Sequence, residues 1–152
     1  MIRTEKEFKE TKKRLEETQK VIDAQQNELD KLNLPQVEKD KAMAPVLYFQ
    51  EQLEDELNQY ERIKQGNLEE FKHLELEYLG KFLIALRISE GISQRELANR
   101  LNVSETLVSR DEKNEYYGIT TERARKISEA LGKKIRFDAF DNTDRPLTTA
   151  IG

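Results

Sequence analysis

The sequence predicts an all-α protein in two parts: a long, charged N-terminal helical hairpin, then a compact helical domain. Three observations predict it. Residues from Thr4 to about Lys31 hold no Gly or Pro and are rich in Glu, Lys and Gln, all good helix formers. Phe8, Leu15, Ile22 and Leu29 recur there every seven residues. From Ser93 to Arg110, serines at capping positions and apolar residues at helical spacing spell two short helices joined by a tight turn.

Thr11, Thr18 and Gln25 fall between the heptad positions of the first helix, so its apolar edge is narrow, with only Val21 added beside Ile22. Such a helix gains little stability alone and needs a partner. Leu34-Pro35 ends it, because the residue before a proline avoids the α region. A second helix runs to about Gln65, with Gly66 as its stop. Pro45 leaves two starts open. The helix begins near Pro45, a residue suited to a first turn, or an earlier helix is kinked there. Its apolar edge is Val46, Phe49, Leu53, Leu57, Tyr60 and Ile63 or Lys64. Antiparallel packing within one chain is the simplest arrangement, and pairing between chains as a coiled coil or four-helix dimer is the alternative.

Asn67 to about His73 reads as a linker. A third helix is expected from Leu74 to Glu90, with Leu79, Phe82, Leu83 and Leu86 buried and Lys81 and Arg87 outside. Asn114 to Gly118 is a loop in which one of Tyr116 and Tyr117 belongs to the core and the other to the surface. Thr120 or Thr121 caps a last helix that ends before Gly132, with Ala124, Ile127 and Leu131 turned inward. Ile135 to Phe140 alternates and is aromatic-rich, the pattern of one short C-terminal strand. The expected organisation is a hairpin or coiled-coil region over 1–66, a linker over 67–73, a helical domain over 74–140 and a mobile tail over 141–152.

The segment from Gly91 to Lys113 carries the chemistry. Gly91 can end the third helix in a left-handed conformation. Ser93 with Glu96 three residues on has the spacing of a capping box, and Ile92 and Leu97 flank it as a hydrophobic staple. Ser104 repeats the cap, with Val103 and Val108 as its staple. Asn102 suits the turn, since Asn tolerates positive φ. Leu97, Ala98, Leu101, Val103 and Val108 can meet in the angle between the helices. Glu105, Thr106, Ser109 and Arg110 then stay outward, with Lys113 just beyond. A face of short hydroxyls and one Arg can hydrogen-bond to base edges in a major groove. Gln94, near the N-terminus of the first short helix, is placed for a phosphate contact.

From about Lys81 to Leu131 the chain resembles the Cro/repressor-like (XRE) helix-turn-helix family, through Gln94, Glu96-Leu97-Ala98, Leu101, Val103, Val108 and Glu112 in register. The resemblance implies a lambda-repressor-like DNA-binding domain. It puts Ser104, Glu105, Thr106, Ser109 and Arg110 at base-reading positions and Gln94 at a phosphate-contact position. Ser104 is expected both to cap and to reach a phosphate, and Lys113 and Arg123 are further phosphate candidates. Asn102 replaces the family's usual Gly. Asp111 replaces an apolar core residue, a change expected to shorten the recognition helix. Over the whole chain, the helical N-terminal half and the Tyr60-Glu61-Arg62-Ile63-Lys64-Gln65-Gly66 boundary resemble bacterial regulators that include antitoxins of the host-inhibition-of-growth type. The implied partners are double-stranded DNA and a second copy of the chain, with a toxin protein as the alternative. A third reading is a helical adaptor that assembles with other proteins.

Composition sets the remaining bounds. The chain has 152 residues, 36% apolar and 37% charged, so its core is thin. With no Cys, disulfide and thiolate chemistry are excluded. One histidine, His73, makes a metal site or a His-based nucleophile a poor reading, so neither metal nor other cofactor is expected. The six glycines are scattered, with no phosphate-cradling loop. No catalytic residues are expected. The charged start and the lack of a long apolar run predict neither signal peptide nor membrane span, and a cytoplasmic protein. The net charge of −4 is unevenly spread. Residues 1–79 hold 13 basic and 19 acidic side chains, whereas 81–136 hold 12 and 8. The positive surplus lies with the two capped helices, as nucleic-acid binding requires.

Overall fold

The computed structural model describes residues 1–137. Among them are six α-helices: α1 (Glu5–Lys31), α2 (Gln36–Lys64), α3 (Leu79–Ser89), α4 (Gln94–Leu101), α5 (Glu105–Lys113) and α6 (Thr121–Ala130). The protein is all-α, an N-terminal helical hairpin followed by a C-terminal helix-turn-helix. No helix of the described residues is long and apolar enough to cross a membrane.

Thr4 caps α1, its hydroxyl accepting from the Glu7 N–H at 3.1 Å. α2 starts directly after Pro35 and runs through Pro45, so the earlier of the two expected starts holds. Pro45 has no N–H for the carbonyl four residues back. One residue along, Gln25 Nε2 of α1 reaches the Ala42 carbonyl at 2.9 Å. That bond ties the two helices together where proline weakens the ladder. Gln50 Nε2 donates to Gln19 Oε1 at 2.8 Å further down, and Glu5 meets Lys64 at the base. α1 and α2 thus pair antiparallel within one chain.

Thr11, Thr18 and Ile22 are buried on α1, and the Thr18 hydroxyl donates to its own helix at Arg14 O, 2.8 Å away. α2 answers with Met43, Leu53, Leu57, Tyr60 and Ile63. Phe49, expected in this edge, is instead exposed and lies 5.6 Å under the Arg14 guanidinium.

The third helix begins five residues later than expected. Leu74, Leu76 and Tyr78 are exposed, so the stretch has no face to bury and forms only a 3-10 turn, Leu76–Tyr78. α3 itself is buried nearly all round, through Gly80, Leu83, Ile84, Ala85, Leu86, Arg87 and Ile88. It is the central helix. Ile2, Leu57, Tyr60 and Ile63 of the hairpin join Leu83, Ile84, Leu97, Val108, Ile127 and Leu131 in one core. Tyr116 is buried in that core while Tyr117 is 96% exposed.

Of the segment expected as a strand, Ile135–Phe137 has no regular secondary structure. Asp138 to Phe140 and the tail at 141–152 lie outside the described residues.

Candidate nucleic-acid interface

The turn between α3 and α4 and the turn between α4 and α5 are both made by left-handed residues. Gly91 has φ of 68° and Asn102 has φ of 53°. Asn bears this conformation better than other residues with a Cβ, which is how it replaces Gly here. The Ser93 hydroxyl accepts from the Glu96 N–H at 3.1 Å and the Ser104 hydroxyl from the Leu107 N–H at 3.2 Å. Only half of the expected capping box forms, because the Glu96 carboxylate turns to Arg100 at 2.5 Å. Leu97, Ala98 and Val108 close the angle between the helices at 0–1% exposure.

Beneath this pair lies a buried ion pair. Arg87 of α3, expected outside, is 3% exposed. Its Nε and Nη2 donate to the two carboxylate oxygens of Glu112 at 2.5 and 2.7 Å. Glu112 is fully buried. Arg87 Nη1 also donates to Ile92 O and Nη2 to Arg3 O, at 2.8 and 2.9 Å. Gln94 Nε2 donates to Glu112 Oε2 at 2.8 Å. One guanidinium therefore ties α3, the α3–α4 turn, the C-terminal half of α5 and the chain start together. A buried pair of this kind holds only with full hydrogen bonding, which the geometry provides. Arg87 has the spacing of a core position, but its charge reads as solvent-facing until Glu112 is seen beside it. It stands four residues after Leu83, on the helix face that goes inside.

The outward side is open. Ser104, Glu105, Thr106, Ser109, Arg110 and Lys113 are exposed, and Gln94 is half-buried. All but Ser104 line one shallow concavity of about 430 Å³. Glu105 is held by Arg95 Nε at 3.0 Å. Arg110 Nε lies 4.0 Å from Asp111, whose other oxygen accepts from Arg123 Nη2 at 2.7 Å. With Asp111 so engaged, α5 runs two residues past it to Lys113 and is not shortened.

Residues 83–137 match the family model described as helix-turn-helix. This segment is an XRE-type helix-turn-helix domain. No curated protein and no solved structure matches the chain. The domain is a DNA-binding module, and α5 is the second helix of its helix-turn-helix. Its outward side chains can donate and accept hydrogen bonds at base edges, and Lys113 adds a cation to the same concavity. Arg123 spends one nitrogen on Asp111. Gln94 spends one of its two amide hydrogens on Glu112 and keeps the second.

Proposed function

We propose that the protein is a dimeric, sequence-specific repressor whose α5 reads a half-site in the major groove of double-stranded DNA. Two such helices would address half-sites about 34–36 Å apart. In this reading Arg110 takes a guanine edge, and Thr106 and Ser109 take neighbouring edges or a thymine methyl. Glu105 accepts from cytosine or repels wrong sequences. Gln94, Ser104 and Lys113 hold phosphates. The protein then works as a cytoplasmic regulator without a cofactor. The carrying observation is that Glu105, Thr106, Ser109 and Arg110 share one exposed concavity on a helix-turn-helix domain.

The experiment is selection of bound duplexes from random DNA, then band-shift titration. Arg110→Ala is expected to lose roughly 1–3 kcal/mol on the selected operator and to relax one base position. Unchanged affinity and unchanged base preference would remove Arg110 from the readout.

A second reading makes the hairpin an antitoxin surface for a basic toxin, with autoregulation of the shared operon. What favours it is the acidic surplus of residues 1–79 together with exposed Val37, Leu47 and Tyr48 on α2. A neighbouring gene product that is toxic alone and harmless when co-expressed would support it. Absence of rescue would sink it.

A further inference from the structure

The N-terminal end of α1 lies beside the recognition face. Arg3, Thr4, Glu5 and Lys6 share a hollow of about 350 Å³ with Gln94 and Glu105. Gln94 and Glu105 also line the recognition concavity with Arg110 and Lys113. Arg3 and Lys113 meet again around a third hollow of about 220 Å³. One surface therefore runs without a break from Lys6 past Gln94 to Lys113.

This segment is firmly seated. Ile2 is 3% exposed in the common core. The Arg3 carbonyl accepts from Arg87 Nη2 at 2.9 Å, and the same guanidinium holds the Glu112 carboxylate that orients Gln94. The start of α1 and a phosphate-contact candidate are thus registered by one side chain.

The carboxylates along this surface are already answered. Glu5 faces Lys64 and the Tyr60 hydroxyl, Glu7 is paired with Arg3, and Glu105 with Arg95. Lys6 is different. Its side chain is 85% exposed and its ion-pair partner, Glu10, stands 3.9 Å away one turn along. A pair of that kind is weak in water and exchanges readily for a stronger anion.

We propose that Lys6 contacts a DNA phosphate flanking the half-site, so that the DNA interface continues from the helix-turn-helix onto the base of the hairpin. The inference rests on the DNA-binding reading above. An ammonium on a phosphate carries no base information, but it adds affinity and fixes the angle at which the domain sits.

Lys13 supplies the control. It lies two turns further along the same side of α1, 76% exposed, with its own partner Glu17 at 3.7 Å. The two lysines are roughly 10 Å apart along the helix. The screening length at physiological salt is about 8 Å, so Lys13 acts only weakly on a phosphate at Lys6.

The full-length protein and its Lys6→Ala, Lys6→Arg and Lys13→Ala variants are titrated on the selected operator between 50 and 200 mM salt. Lys6→Ala is expected to weaken binding several-fold at the lowest salt. It is also expected to reduce the slope of log affinity against log salt by about 0.9. Lys6→Arg and Lys13→Ala are expected to keep the wild-type slope. A wild-type slope for Lys6→Ala, or equal losses at Lys6 and Lys13, overturns the contact and leaves the DNA-binding reading intact. A wild-type protein that enriches no duplex overturns both.

Discussion

At the scale of single residues, the buried Arg87–Glu112 pair governs most of what surrounds it. Removing the cation alone leaves a fully buried carboxylate with only Gln94 to hydrogen-bond it. Arg87→Met is therefore expected to cost about 3–5 kcal/mol, read as a shift of the urea midpoint. Adding Glu112→Leu to it should recover a large part of that loss, since the unpaired charge goes too. A double variant as unstable as the single would mean that the lost bonds to Ile92 and Arg3, not the stranded charge, carry the cost. Tyr60 is the second informative residue. Burial, and then the negative charge of Glu5, push its hydroxyl from 10 up to about 12. Above pH 10 the unfolded chain releases this proton while the folded chain keeps it. Tyr60's share of stability is thus complete below pH 10 and is lost as pH rises towards 12. Tyr60→Phe is expected to flatten the alkaline fall in stability between pH 10 and 12; an unaltered fall would assign it elsewhere.

At the scale of elements, local rules account for the helix ends and tertiary contact for their depth in the core. Thr4, Ser93, Ser104 and Thr120 each accept a backbone N–H three residues on, and every one of these caps is visible as a Ser or Thr before a helical run. Gly80 is not visible in that way. It lies within α3, where glycine is locally unfavourable. The reason is the loop after α5: a Cβ at Gly80 would sit 1.8 Å from the Glu115 carbonyl oxygen. Backbone on both sides must then move. Gly80→Ala is expected to destabilise by about 1–3 kcal/mol despite its better helix propensity. A neutral or stabilising result in thermal denaturation would show that the loop yields freely. The same loop displays Tyr117 and buries Tyr116, a division that the adjacent tyrosines foretell only as one in and one out.

At the scale of the whole molecule, the hairpin and the helix-turn-helix share one core at the base of the hairpin. Ile63 of α2 is fully buried in the cluster that contains Leu83, Leu97 and Ile127. Ile63→Ala is expected to cost about 2–5 kcal/mol. Its effect should reach both parts equally. Probes in α1 and in α5 should lose structure at the same denaturant concentration in wild type and variant. Separate midpoints would mean two independently folding units. Such sharing was hard to foresee, because residues 67–73 read as a polar joint. The chain closes across it through contacts as distant in sequence as Arg3 and Arg87.

The sequence alone determined the capped ends of α1, α4, α5 and α6 and which side chains of α5 point outward, because capping and apolar spacing act over three to seven residues. It also carried the family of the C-terminal domain in a run of motif residues. Whether Pro45 starts or interrupts α2, whether Arg87 is inside, and why Gly80 must be small were decided only by the fold. The last two depend on groups brought up from elsewhere in the chain, Glu112 and the Glu115 carbonyl. Local periodicity has no term for a partner tens of residues away, and burial of a charge becomes favourable only once that partner has arrived.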